Sequence, residues 1–204
     1  MQASVLGYFV HEKVERFEAR PDKAVATPAF FGSFKVLKNH DLSVRAFYKR
    51  MFRMPTFNDL YYTDMGNAFL KPEYAEQFNV GLKYTRNFEK SPFMRMLDVS
   101  VDAYYNKITD KIIAYPKGQQ FRWTMLNLGE VEIKGVDAVL NTQFSLGKLE
   151  VTTKFQYTYQ EAIDVTDPAD TYYRDQIPYI PWHSGSAILA LFYKGWGLNY
   201  SFIY

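Results

Sequence analysis

Residues 149–160 read LEVTTKFQYTYQ: Leu149, Val151, Thr153, Phe155, Tyr157 and Tyr159 alternate with Glu150, Thr152, Lys154, Gln156, Thr158 and Gln160. Successive side chains of a strand point to opposite sides, so this stretch builds one greasy face and one polar face. Residues 76–85 repeat the pattern, with Phe78, Val80, Leu82 and Tyr84 set against Gln77, Asn79, Gly81, Lys83 and Thr85. Residues 97–106 do so again, with Leu97, Val99, Val101, Ala103 and Tyr105 on one side and Asp98, Ser100, Asp102, Tyr104 and Asn106 on the other. Residues 42–50 and 135–144 carry weaker versions. The clean segments run about 9–11 residues, the length that crosses a bilayer as a tilted strand.

Working outward, the connections alternate in length. Short ones fall at 38–41, 87–95, 145–148 and 194–197, and long ones at 51–72, 108–128 and 162–184. Tight turns at one end and extended loops at the other are the layout of a transmembrane barrel. Loops of that length sit awkwardly in a compact soluble domain. No helical stripe of period 3.6 stands out. Eight or nine strands are expected, within 4–12, 28–37, 42–50, 74–85, 96–106, 130–144, 149–161, 186–193 and 197–204. The expected fold is all-β: an antiparallel meander forming part of a transmembrane β-barrel.

Composition agrees. Aromatics make up 18% of the 204 residues and hydrophobics 48%, yet mean hydropathy is −0.29, as interleaved faces require. The formal net charge of +2 and the lack of a basic cluster argue against a nucleic-acid partner. With no cysteine, disulfides, thiolate metal sites and cysteine nucleophiles are excluded. No run approaches the roughly 18 apolar residues of a membrane helix. The chain shows no signal peptide of its own, so an outer-membrane location implies a piece of something longer.

Several stretches resemble one family. Phe52-Arg53-Met54-Pro55, then Asn58-Asp59-Leu60-Tyr61-Tyr62, then Leu70-Lys71-Pro72-Glu73 are similar to a strand, outer loop and returning strand of the TonB-dependent outer-membrane receptors, in Bacteroidetes-like form. Residues 127–137 (NLGEVEIKGVD) resemble that family's strand after a long loop, with Asp137 where Glu is usual. Residues 102–110 resemble the strand before it. Ile177-Pro178-Tyr179-Ile180-Pro181-Trp182-His183 is similar to the next loop-to-strand passage, where Arg more often stands at 182. The resemblance implies about eight or nine strands of a roughly 22-stranded barrel. It also implies that residues 1–204 are a partial barrel domain, with the plug domain and the remaining strands outside the chain. The implied partners are outer-membrane lipid, a bulky nutrient such as a siderophore or cobalamin, and the TonB complex acting through the plug. No cofactor is implied. A soluble β-sandwich module binding carbohydrate or another ligand is the alternative.

Nothing in the sequence points to catalysis. His11, His40 and His183 are scattered without metal-ligand spacing, and phosphate-loop or nucleophile motifs are lacking. Asp98 and Asp102 share a strand face, but read as polar residues of a water-filled interior. Aromatics near strand ends read as girdles at the membrane interface. Loop-tip aromatics and arginines are the expected ligand contacts: Tyr61, Tyr62, Phe69, Arg122, Trp123, Tyr172, Tyr173 and Arg174. Rings stack on large rigid ligands and guanidinium meets their acidic groups. Haem receptors of the family place a histidine between the two motifs of the first long loop. The interval from Phe52 to Leu70 has none, which argues against haem uptake by axial ligation there.

Overall fold

The computed structural model describes residues 1–11, 13, 23–37, 41–117 and 122–204. Nine strands follow one another in chain order: β1 Gln2–Val10, β2 Lys23–Lys35, β3 Asp41–Arg53, β4 Glu73–Asn87, β5 Met94–Lys117, β6 Arg122–Leu146, β7 Leu149–Asp164, β8 His183–Tyr193 and β9 Trp196–Ile203. Each pairs antiparallel with its sequence neighbours in a single sheet. A sandwich needs a second sheet stacked on the first; the described residues form only one. The expected end of the first strand at Glu12 and the turn at 38–40, with His40, lie outside the described residues.

Register turns the alternation into two continuous surfaces. Tyr48, Phe78 and Tyr105 sit opposite one another across β3, β4 and β5, with Phe30 of β2 beyond Tyr48. Their rings form a row with centroids 6.4, 4.9 and 6.4 Å apart. Below this row the same face carries Val80, Leu82, Val101 and Phe155. Val80 is 57% exposed and Phe155 49%. A soluble sheet would bury such a face, and the described residues place nothing over it.

The opposite face is polar and internally paired. Arg45, Gly81, Asp102, Asp137 and Thr158 stand in register across five strands. Arg45 grips Asp102 through both guanidinium and carboxylate, its Nε donating to Oδ1 at 3.0 Å. Gly81 lies between them on β4. A Cβ there would stand 2.1 Å from Asp102 Oδ1, so only glycine lets the pair close over the strand. Thr158 donates to Asp137 at 2.7 Å. Nearer the short turns, Asp98 accepts from Thr85 at 2.7 Å and Asn141 at 3.1 Å, with Lys83 Nζ at 3.4 Å. Asp98 and Asp102 therefore each engage partners of their own.

Turn chemistry fixes the short end. Leu146 pairs with Leu149 around Gly147, whose φ of 65° suits a residue without Cβ. Tyr193 pairs with Trp196 around Lys194 and Gly195, both at positive φ, the requirement of a type I′ hairpin.

Two expectations need correction. Residues 108–117 and 122–128 are strand and not loop: β5 and β6 remain paired from Ile108–Val131 out to Lys117–Arg122. The first long loop also contains a helix, α1 Phe57–Tyr61. It is one turn and a half, too short for any stripe, and is fixed by Thr56 and Asp59 in a capping box.

Candidate functional site

The long connections 54–72 and 165–182 lie at the end of the sheet opposite the tight turns, around the extended β5–β6 hairpin. The first, residues 54–72, is docked on that hairpin by its own backbone. Met125 N donates to Met65 O at 2.8 Å, and Asn67 Nδ2 to Met125 O at 3.0 Å. Asn127 Oδ1 accepts from Lys71 N at 2.8 Å, while its Nδ2 reaches Lys71 O and Asp110 O at 3.0 and 2.7 Å. Leu60 and Leu70 bury against Ile112, with Tyr61 and Met125 packed around them. Glu73 closes the loop by accepting from Ile112 N at 3.0 Å. Gly66 is required here too, since a Cβ would fall 2.6 Å from Tyr62 N.

The last long connection, residues 165–182, folds back along β7. Ile177 N donates to Ala162 O at 2.8 Å. Gln176 staples the segment at both ends of its amide, accepting from Ala162 N at 2.9 Å and donating to Ile180 O at 3.0 Å. Ile177 completes a buried cluster with Ala75, Ile108, Val131, Ile133 and Ala162. The first four of those strand positions, together with Ala162, lie on the polar-face side by register. That face is thus polar along its middle and apolar under this loop.

The docked loops leave a cleft of about 290 Å³ lined by Tyr62, Asp64, Met65, Arg122 and Trp123. Three expected contacts, Tyr62, Arg122 and Trp123, therefore come together. Trp123 also meets Tyr179 of the last loop, with ring centroids 5.6 Å apart. Tyr179 holds φ at 66°, a left-handed conformation uncommon for its type, which the staple of Gln176 and Ile177 maintains. Tyr62 is 59% exposed and Arg122 is exposed, so this edge is open to solvent.

The remaining expected contacts are dispersed. Tyr61 turns inward, its ring tilted against that of Phe57 with centroids 5.2 Å apart, and packs on the Leu60 cluster. Phe69 projects almost fully into solvent at 92% exposure. Tyr172 lines a different cleft, and Tyr173 and Arg174 sit in the turn above it, Arg174 at a φ of 68°. Asp64, Met65 and Tyr179 were not anticipated. Tyr179 carried a signal, lying between two prolines in the 177–183 motif. His183 is held by Tyr157, Oη to Nδ1 2.7 Å, and no group of three metal-ligating side chains occurs among the described residues.

Residues 9–204 match the family described as TonB dependent receptor-like, beta-barrel. Over 99 residues the chain is 32% identical to the vitamin B12 transporter BtuB of Vibrio vulnificus, covering 48% of this chain and 14% of that protein. Over 113 residues it is 34% identical to the vitamin B12 transporter BtuB of Photobacterium profundum, covering 52% and 16%. The matched stretches span well under a fifth of these relatives' length.

Proposed function

The chain belongs to the TonB-dependent receptor β-barrel family, and on that premise we propose that it forms wall and outer mouth of an outer-membrane receptor for a bulky nutrient. The observation that carries this reading is the pairing of an exposed apolar sheet face with a salt-bridged polar one. Lipid is the medium that tolerates the first, and a water-filled lumen suits the second. The row of Phe30, Tyr48, Phe78 and Tyr105 is then the aromatic girdle on the outer-leaflet side. The tight turns face the periplasm.

In this reading Tyr62, Arg122 and Trp123 contact the nutrient, joined by Tyr179, while Phe69, Tyr172, Tyr173 and Arg174 lie on the loops outside this cleft. Tyr61 supports the loop. Trp123 offers a ring face for stacking and Arg122 a fork for a carboxylate or other acidic group. Uptake follows from capture here, then rearrangement of a plug domain energised through the TonB complex. The chain's own residues bind and orient; they break no bond. Cobalamin and siderophores both have the bulk and polarity required.

The test uses the intact receptor in cells. It is expected in the outer-membrane fraction, and recovery only as soluble protein would sink the proposal. With purified receptor, Trp123→Ala and Arg122→Ala should each weaken cobalamin or ferric-siderophore binding by about tenfold, the effect of truncating one good contact. Unchanged affinity for every nutrient the receptor binds would remove these residues from the site.

A further inference from the structure

The hairpin of β5 and β6 has a second cleft on its other flank, of similar size, lined by carboxylates where the first sets Arg122 beside Asp64. It encloses about 290 Å³ between the hairpin and residues 164–178. Ile113, Tyr115, Leu126 and Leu128 supply its strand wall, and Ile177 and Pro178 its floor. Asp164, Asp170 and Asp175 stand around it with Tyr172, and among the described residues no lysine or arginine lines it. An apolar enclosure of this kind is the usual form of a small-molecule site, here at the lower end of the size range.

Two of the three carboxylates are held by the backbone of their own loop. Asp164 Oδ1 accepts from Thr166 N at 2.9 Å, and Asp170 Oδ1 from Tyr172 N at 3.0 Å. Each leaves its second oxygen without a partner among the described side chains, and Asp175 has both oxygens so. The walls keep their shape because Ile177 is buried in the adjoining core and Gln176 is bonded at both ends. An anion would meet three like charges here, and a neutral apolar group would leave them unanswered. A cation without apolar bulk would leave the walls wet.

We propose that this cleft is a separate binding site for an amphipathic cation: one aromatic or branched aliphatic group inserted between Leu126 and Tyr172, its amine toward Asp170 and Asp175. The commitment to a cation rests on charge complementarity, and the commitment to an apolar body on the lining. The site shares no lining residue with the Arg122 cleft, where one guanidinium stands beside one carboxylate.

The experiment measures tryptamine binding to the intact receptor in detergent by titration calorimetry or saturation-transfer NMR, with indole-3-acetate as its charge-reversed counterpart. Tryptamine is expected to bind and indole-3-acetate not to bind at this cleft. Asp170→Asn with Asp175→Asn should weaken tryptamine roughly fivefold, as expected for two partly exposed charge pairs, at little cost to the fold. Leu126→Trp, filling the cleft, should abolish binding. Arg122→Ala should leave it unchanged, which separates this site from the nutrient mouth. Equal binding of the two indoles, or tryptamine affinity unmoved in the Asp variant, would overturn the proposal.

Discussion

Gly81→Ala offers the sharpest test of how the polar face is held. Ordinarily the change would help: alanine restricts the unfolded chain and contributes about 0.4–1 kcal/mol where the backbone accepts it. Gly81 has no positive φ to forbid it. What forbids it is the clasp overhead, since the new Cβ would stand 2.1 Å from Asp102 Oδ1 and 2.8 Å from Arg45 Nε. Both are side-chain atoms, so the pair must part and the backbone need not move. The Arg45 side chain is 50% exposed and that of Asp102 14%, which places the pair between a surface ion pair and a buried one. Two charge-assisted bonds in that setting are worth about 1.5–3 kcal/mol. Set against the entropic gain, Gly81→Ala should destabilise by about 1–2 kcal/mol.

The decisive measurement is a double-mutant cycle with Asp102→Ala, read from denaturant unfolding of the intact receptor in detergent. Asp102→Ala removes the atom the methyl would strike and frees Arg45 to swing away. In that background Gly81→Ala should be neutral or stabilising by up to about 1 kcal/mol. The sign of one substitution therefore reverses with its neighbour. Additivity within about 0.5 kcal/mol, the behaviour of independent sites, would refute the reasoning.

Gly135→Ala should be more damaging and should not be rescued in this way. Its Cβ would stand 2.3 Å from the Tyr104 ring and also 2.7 Å from the Tyr159 backbone oxygen, so removing Tyr104 leaves a backbone clash. A loss of about 1–3 kcal/mol, persisting in the Tyr104→Ala background, is the expected unfolding result. Asn127→Ala deletes the two bonds that tie Lys71 to the hairpin, and a third, to Asp110 O, that holds the Asn127 side chain across it. Limited proteolysis should then cut within residues 54–72 at least several times faster, while the barrel keeps its midpoint. Thr56→Ala breaks the capping box of α1 at about 1 kcal/mol, and should raise cleavage in the same loop to a smaller degree.

Strand order, the two faces and the end at which loops gather were legible because alternation survives wherever one side meets lipid and the other water. It fails where both sides are covered. Ile112 and Ile113 are adjacent apolar residues, so residues 108–128 looked like a loop. Ile112 buries under Leu60 and Leu70, while Ile113 lines the acidic cleft. Two-sided cover by the neighbouring loops erased the period-2 signal that a strand with a wet face would have kept. α1 escaped notice for a related reason: its stability lies in two side chains, Thr56 and Asp59, and not in any periodicity.

The same distinction explains what the motif of residues 52–73 can and cannot specify. Leu60, Asn67, Leu70, Lys71 and Glu73 each have their buried surface or hydrogen bonds committed to the β5–β6 hairpin. A change at any of them costs docking energy whatever the receptor carries, so such residues mark the family. Tyr62, Asp64 and Met65, which face the cleft, fall between the docking residues and make no side-chain hydrogen bond to the described residues of the hairpin. They can vary without undoing the loop. The resemblance and the cargo are therefore written in interleaved but different positions, and a match in the first set constrains the second very little. Exchanging Tyr62, Asp64 and Met65 together for the residues of a relative with a different nutrient should change which nutrient binds, while loop proteolysis stays at the parental rate. A variant that loses loop protection along with binding would show that the two sets are not separable.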